Sequence, residues 1–169
     1  NNEIGAIEPV EEIGKIVKSF DPKILFHTDC IQAYGKLNCY PKKWKADMIS
    51  VSGHKIHGPK GIGFIYIKNG TKIKPIIWGG NQQKGMRSGT ENVPGIAGLG
   101  KAAELIYENH EEKIAHIREI KDHFIKRVME EIPDVKDNSG DAPHVASISF
   151  LGVRSEAVSY THLTLPTIR

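Results

Sequence analysis

The sequence predicts an α/β fold: a mostly parallel sheet with flanking helices, followed by the start of a smaller α+β domain. Three observations predict it. An amphipathic helix pattern near the beginning of the chain leads directly into apolar runs of strand length. Two of those runs close on polar residues, Asp29 and Ser52-Gly-His-Lys55. Near His110 the βα patterning gives way to one long amphipathic helix. Helices alternating with continuously apolar strands are the pattern of a sheet covered on its faces. The composition agrees. With 39% hydrophobic and 25% charged residues, the 169-residue chain is neither a collagen, nor a disulfide scaffold, nor mainly disordered. A net charge of +3 is too small to argue for a nucleic-acid partner. No apolar run approaches the roughly 20 residues of a membrane helix.

The elements follow in order. Pro9 opens the first helix, where its missing N–H costs nothing. Val10, Ile13, Val17 and Phe20 recur at helical spacing, and Asp21-Pro22 ends the run. Strands are expected at 23–29, 47–53 and 63–67, the last followed by an Asn69-Gly70 turn signal. The polar, glycine-rich stretch from Gly79 to Gly89 reads as a loop. Helices are expected over 94–107 and 111–131, the second with Ile114, Ile117, Phe124, Val128 and Ile132 along one face. Pro133-Asp134 stops it, 137–143 reads as a loop, and 145–150 alternates like a half-buried strand. The expected domains are 1–110, 111–157, and a compositionally distinct tail at 158–169 that looks like a non-native extension.

Three clusters carry chemistry. In His27-Thr-Asp29-Cys-Ile-Gln32 a strand delivers a carboxylate to its C-terminal end, with an amide three residues on. Open α/β sheets bind ligands there, although such an acid taken alone also reads as a loop residue. In Ser50-Val-Ser52-Gly-His54-Lys55-Ile-His57-Gly58-Pro-Lys60-Gly61 a strand ends beside a hydroxyl, an imidazole and an amine. A lysine so placed is a candidate Schiff-base former, because burial and neighbours lower the cost of losing its proton. A basic surface loop is the competing reading. His54 and His57 lack a third metal ligand, and no Gly-Lys-Ser/Thr follows to make a P-loop. In Gly79 to Asn92, Arg87, Ser88 and Thr90 precede a helix and can cradle an anion, or simply cap that helix. Cys30 and Cys39 have no CxxC spacing, which suits free thiols in a reducing cytoplasm.

Together these clusters resemble the pyridoxal-phosphate-dependent cysteine desulfurases of the NifS/IscS type, within the class V aminotransferases. The resemblance rests on Asn1-Asn2-Glu3-Ile4-Gly5 with Pro9, His27-x-Asp29-x-x-Gln32, Ser50-x-Ser52-Gly53-His54-Lys55, Gly58-Pro59-Lys60-Gly61-Ile62-Gly63 and Arg87-Ser88-Gly89-Thr90-Glu91-Asn92, in register from Asn1 to about Glu156. It implies a fold-type-I transferase, of which this chain is part of the large domain and the start of the small one. It implies that Lys55 forms the Schiff base with pyridoxal phosphate and that Asp29 faces the pyridine nitrogen. Gln32 would meet the phenolic oxygen, and Ser52 and His54 the phosphate. Asn2 would lie beside cofactor and substrate carboxylate, and Thr90 would reach the phosphate of the partner subunit in a homodimer. The implied substrate is L-cysteine. The implied recipient is a sulfur-acceptor protein, either an iron–sulfur scaffold or a tRNA-thiolation enzyme, with no direct nucleic-acid or membrane contact. The family's nucleophilic cysteine is expected beyond Glu156, and Cys30 and Cys39 do not match it. The chain is therefore expected to be an incomplete, inactive portion of the enzyme. Selenocysteine lyase or another fold-type-I lyase, and a non-catalytic partner-binding piece, are the alternatives.

Overall fold

The structure, a computed structural model, describes residues 1–156; the expected tail at 158–169 lies outside them. The chain divides into two compact units, one of Glu8–Ile114, the other of Asn1–Ile7 with the chain from Ala115 onward.

In the first unit, α1 (Val10–Phe20) starts at Pro9, with Glu11 and Glu12 in its first turn and Lys18 in its last, as the helix dipole favours. Asp21 adopts an extended conformation and ends it. Gly14 is required by close approach: a Cβ there would lie 1.9 Å from the Trp44 carbonyl oxygen. On the apolar stripe, Phe20 remains 85% exposed, and α1 packs through half-buried Val10 and Val17 with buried Gly14.

Strand β1 (His27–Asp29) is shorter than the apolar run that announces it. Strands β2 (Met48–Ser52) and β3 (Gly63–Ile67) complete a sheet of order β1-β2-β3. β1 and β2 are parallel, with Asp29 opposite Ser50; β2 and β3 are antiparallel, with Ser52 opposite Gly63. The described sheet is thus mixed where the apolar runs read as mostly parallel. The reason lies in the connection: only a 3-10 turn (Gly53–Ile56) and a short loop link β2 to β3, whereas a parallel return needs a longer crossover. Ile49 and Val51 of β2 are buried with Cys30 and Ala46, under Phe26, Tyr34, Trp44 and Tyr66. A second cluster joins Ile56 of the turn to Leu99 and Ala102 of α2 (Val93–Tyr107). Asn92 caps α2, its side-chain oxygen accepting from the Gly95 N–H at 3.1 Å.

One buried carboxylate ties these pieces together. Asp47 is 4% exposed. Its Oδ2 accepts from the Lys18 ammonium and from the Phe26 N–H at 2.8 Å. Its own N–H donates to the Phe26 carbonyl at 2.8 Å, and its carbonyl accepts from the Lys68 N–H at 2.8 Å. Burial pushes its carboxyl up, but the bonds from Lys18 and Phe26 outweigh it and hold the group below the usual carboxylate range.

In the second unit, β4 (Val135–Asp137) pairs antiparallel with β5 (Ile148–Phe150). The distal part of α3 (His110–Glu131) contributes Lys121, which donates to the carbonyls of Gly140 at 2.6 Å and Ala142 at 2.9 Å. Residues 1–7 join this unit rather than the first, because the Ala142 N–H donates to the Gly5 carbonyl at 2.9 Å and the Gly140 N–H to that of Ile4. On the helix face, Val128 is buried and Ile114 and Ile117 half-buried, while Phe124 and Ile132 are exposed. Among the described residues, no helix is long and apolar enough to cross a membrane.

Asp47→Asn leaves Lys18 without its counter-charge and should destabilise the protein by about 3 kcal/mol at neutral pH. An aspartate whose folded value lies below its unfolded one, about 3.9, stabilises fully above the unfolded value and loses that stabilisation as pH falls through the folded one. The difference between wild type and variant in urea unfolding should therefore shrink as the pH drops below about 4.

Candidate functional site

The C-terminal ends of the parallel pair β1 and β2 put the first two clusters side by side, since Asp29 and Ser50 are register partners. The Asp29 carboxylate is exposed, and its Oδ1 accepts from the Ile31 N–H at 2.7 Å. Among the described residues it forms no ion pair, so its second oxygen is available to a ligand. The His27 Nε2 and Ser50 Oγ lie 3.2 Å apart across the two strands.

At the end of β2 the chain turns through the 3-10 segment. Ser52 is its N-cap, and the Ser52 Oγ lies 2.7 Å from the His54 Nδ1. This contact fixes the orientation of the imidazole ring, and His54 is exposed. Lys55 follows, half-buried, between exposed His54 and fully buried Ile56. Ile56 anchors the turn in the second core cluster, so the residue before it has a fixed point of departure.

Gln32 sits half-buried on the segment from Cys30 to Leu37, which is pinned from several sides. The Ala33 and Tyr34 N–H groups donate to the Cys30 carbonyl at 3.1 and 2.8 Å. The Gly35 N–H donates to the Tyr107 hydroxyl at 3.3 Å, and its carbonyl lies 3.2 Å from the His110 Nε2. Gly35 has φ +77°, and a Cβ there would meet Ile106 at 3.0 Å and Ile56 at 3.1 Å. The Lys36 ammonium reaches across to the Lys55 carbonyl. Tyr34 meets Phe64 and Tyr107 edge-on, with ring centroids 5.3 and 5.4 Å apart.

The third cluster is ordered by its own bonds but stands apart. Ser88, buried, donates to the Gly80 carbonyl at 2.7 Å, and the Gln82 side chain accepts from the Gly89 N–H at 3.1 Å. Neither Ser88 nor Thr90 caps α2; Asn92 does. Thr90 is exposed and, with Arg87, lines an open groove of about 810 Å³ against Phe64, Ile65, Ile96 and Leu99. Asp29 and Lys55 do not line that groove. Asn2 is exposed and belongs to the other compact unit. The structure thus brings Asp29, Ser52, His54 and Lys55 to one end of one sheet, with Gln32 on the adjoining segment.

The model of the aminotransferase class-V family matches residues 1–162. The chain belongs to that family. It is 44% identical over 168 residues to a cysteine desulfurase IscS of Dictyoglomus turgidum, covering 98% of this chain and 42% of that protein. A Clostridium botulinum cysteine desulfurase IscS is 44% identical over 163 residues, covering 94% and 41%. Among solved structures, a NifS-like protein superposes with a TM-score of 0.89 at 37% identity, over 95% of this chain and 44% of that one. A NifS-like protein from Rickettsia africae gives 0.86 at 34% identity, over 93% and 44%. The chain therefore spans less than half the length of the curated relatives it matches, and its fold is that of the NifS-like proteins, fold type I.

Sequence reasoning missed Lys36, Tyr107 and His110. Their partners are backbone groups of distant segments, and no spacing pattern announces such bonds. Gly35→Ala forces a side chain into a positive-φ position against Ile106 and Ile56. It should cost more than about 1 kcal/mol, measured as a fall in thermal midpoint.

Proposed function

We propose that the full-length protein carrying this segment is a pyridoxal-phosphate-dependent cysteine desulfurase. The observation that carries the reading is the half-buried Lys55 in the 3-10 turn directly after β2, with the Ser52–His54 pair at the start of that turn and Asp29 at the end of the neighbouring parallel strand. This donor set suits the cofactor: an amine for its aldehyde, a carboxylate for a protonated ring nitrogen, a hydroxyl and an imidazole for its phosphate. When bound, pyridoxal phosphate supplies an electron sink for the carbon next to the substrate amine.

The residues of this chain supply the rest. Lys55 holds the cofactor and afterwards moves a proton at its own Nζ. Asp29, as an anion, keeps the ring nitrogen protonated. Gln32 donates to the phenolic oxygen. Ser52 and His54 fix the phosphate, and Asn2 orients the substrate carboxylate. Thr90 contributes to the site of the second subunit, so the working enzyme is a homodimer. In this reading 1–110 belongs to the cofactor-binding domain and 111–157 opens the small domain.

L-cysteine is the substrate, alanine one product, and the sulfur passes through a nucleophilic cysteine to an acceptor protein. Cys30 and Cys39 do not suit that nucleophile. Cys30 is 2% exposed in the core of the sheet. The Cys39 thiol is pushed well up by its contact with Cys30 and by burial, so little of it is thiolate. The nucleophile then lies outside residues 1–156, and free thiols at both positions suit a reducing cytoplasm.

Three outcomes test the reading. Borohydride reduction of the full-length protein with pyridoxal phosphate, followed by peptide mapping, should place the cofactor on Lys55, and Lys55→Ala should abolish it; label on Lys60 overturns the assignment. Asp29→Asn should retain the cofactor but slow alanine formation by several orders of magnitude; near-normal turnover would remove Asp29 from its role. Cys39→Ala should leave sulfide release within about twofold of wild type, whereas loss of activity without loss of fold would make Cys39 the nucleophile.

A further inference from the structure

Lysine is rarely buried without a carboxylate, yet Lys36 is half-buried and, among the described residues, forms no ion pair. Its partner is the main-chain carbonyl of Lys55. Among the described residues that carbonyl receives no backbone hydrogen bond: the Gly58 N–H, three residues on, donates instead to Gly53 at 2.9 Å. A half-buried carbonyl left without a donor is costly, and a charged donor makes one of the stronger bonds. Lys36 itself cannot drift. The Lys36 and Leu37 N–H groups both donate to the Ala33 carbonyl, at 3.0 and 2.8 Å, and Gly35 is held by Tyr107 and His110.

We propose that Lys36 is a positioning residue for Lys55: its ammonium clamps the Lys55 carbonyl, fixing the peptide plane from which the reactive side chain departs and coupling the Gln32 segment to the 3-10 turn. The inference rests on the reading of Lys55 as the cofactor-holding lysine. Lys36 touches neither cofactor nor substrate in this role. Burial, then the nearby charge of Lys55, pulls the Lys36 ammonium below its ordinary value, as expected of a cation retained for its bond rather than for solvation. The expected size of the effect follows from placement: an error of about 1 Å at a reacting group can cost roughly 100-fold in rate.

The test uses full-length protein freed of cofactor. Pyridoxal phosphate is added, samples are quenched with borohydride over time, and the fraction on Lys55 is mapped. Backbone hydrogen exchange of residues 53–58 is measured in the cofactor-free protein. Lys36→Met should slow capture by Lys55 at least tenfold and raise exchange at 53–58, with a lowered thermal midpoint but the protein still folded at the assay temperature. Lys36→Arg, which keeps a charged donor, should restore capture to within threefold of wild type. Wild-type capture and wild-type protection in Lys36→Met overturn the proposal. So does an Arg variant as slow as the Met variant while both are folded. Should Lys36→Met fail to fold, Lys36→Gln replaces it under the same thresholds. If wild-type protein captures the cofactor on another lysine, the functional reading fails instead. The exchange measurement then decides alone whether Lys36 holds the turn, and unchanged protection refutes it.

Discussion

The geometry of the candidate site depends on a buried ion pair some distance from it. Asp47 stands one residue before β2 and engages Lys18 of α1, the backbone before β1 and the backbone after β3. Removing any one of these partners would leave charge or peptide groups stranded in a low-dielectric setting, where they cost several kcal/mol. The pair therefore specifies register more than it adds net stability. With Asp47 bonded to Phe26, His27 must face Met48 and Asp29 must face Ser50. A slip of one residue would turn Ile49 and Val51 out of the core and bring Ser50 and Ser52 in. Asp29 and the Ser52–Lys55 turn meet at one end of the sheet because Asp47 fixes the other.

Much of this was legible in the sequence, and the remainder failed for identifiable reasons. Helix α1, strand β3 and the long helix fell where periodicity and proline punctuation put them. The strand expected over 23–29 shrank to 27–29 because its first half has no partner strand: Ile24 and Leu25 are exposed, and the Ile24 carbonyl accepts from Lys18 instead. Strand β4 went unread because three residues with two charges carry no period; only pairing with β5 makes Val135–Asp137 a strand. The antiparallel direction of β3 carries no local signal, because continuous apolar runs mark burial on both faces, not direction. At the site, residue types and spacing identified the strand-end clusters. The backbone bonds of Lys36, Tyr107 and His110 join segments distant in sequence and leave no local mark.

The two aspartates of this sheet show how position divides labour between side chains of one kind. Asp47 lies where β2 begins, under α1, and every oxygen has a partner. Burial pushes its carboxyl up, and the Lys18 and Phe26 donors more than offset that push. Such a carboxylate is committed to its structural partners. Asp29 lies where β1 ends, exposed, with one oxygen on the Ile31 N–H and the other open. The local bond is enough to aim the carboxylate but not to neutralise it. An open, aimed carboxylate at the carboxyl end of a parallel pair suits the ring nitrogen of the proposed cofactor, while a second carboxylate is used to hold the sheet together. Stability and chemistry are thus assigned to opposite ends of the same strand pair. A substitution at the Asp47 end should reach the site through loss of register, whereas one at the Asp29 end should leave the fold intact and change only what the site can hold.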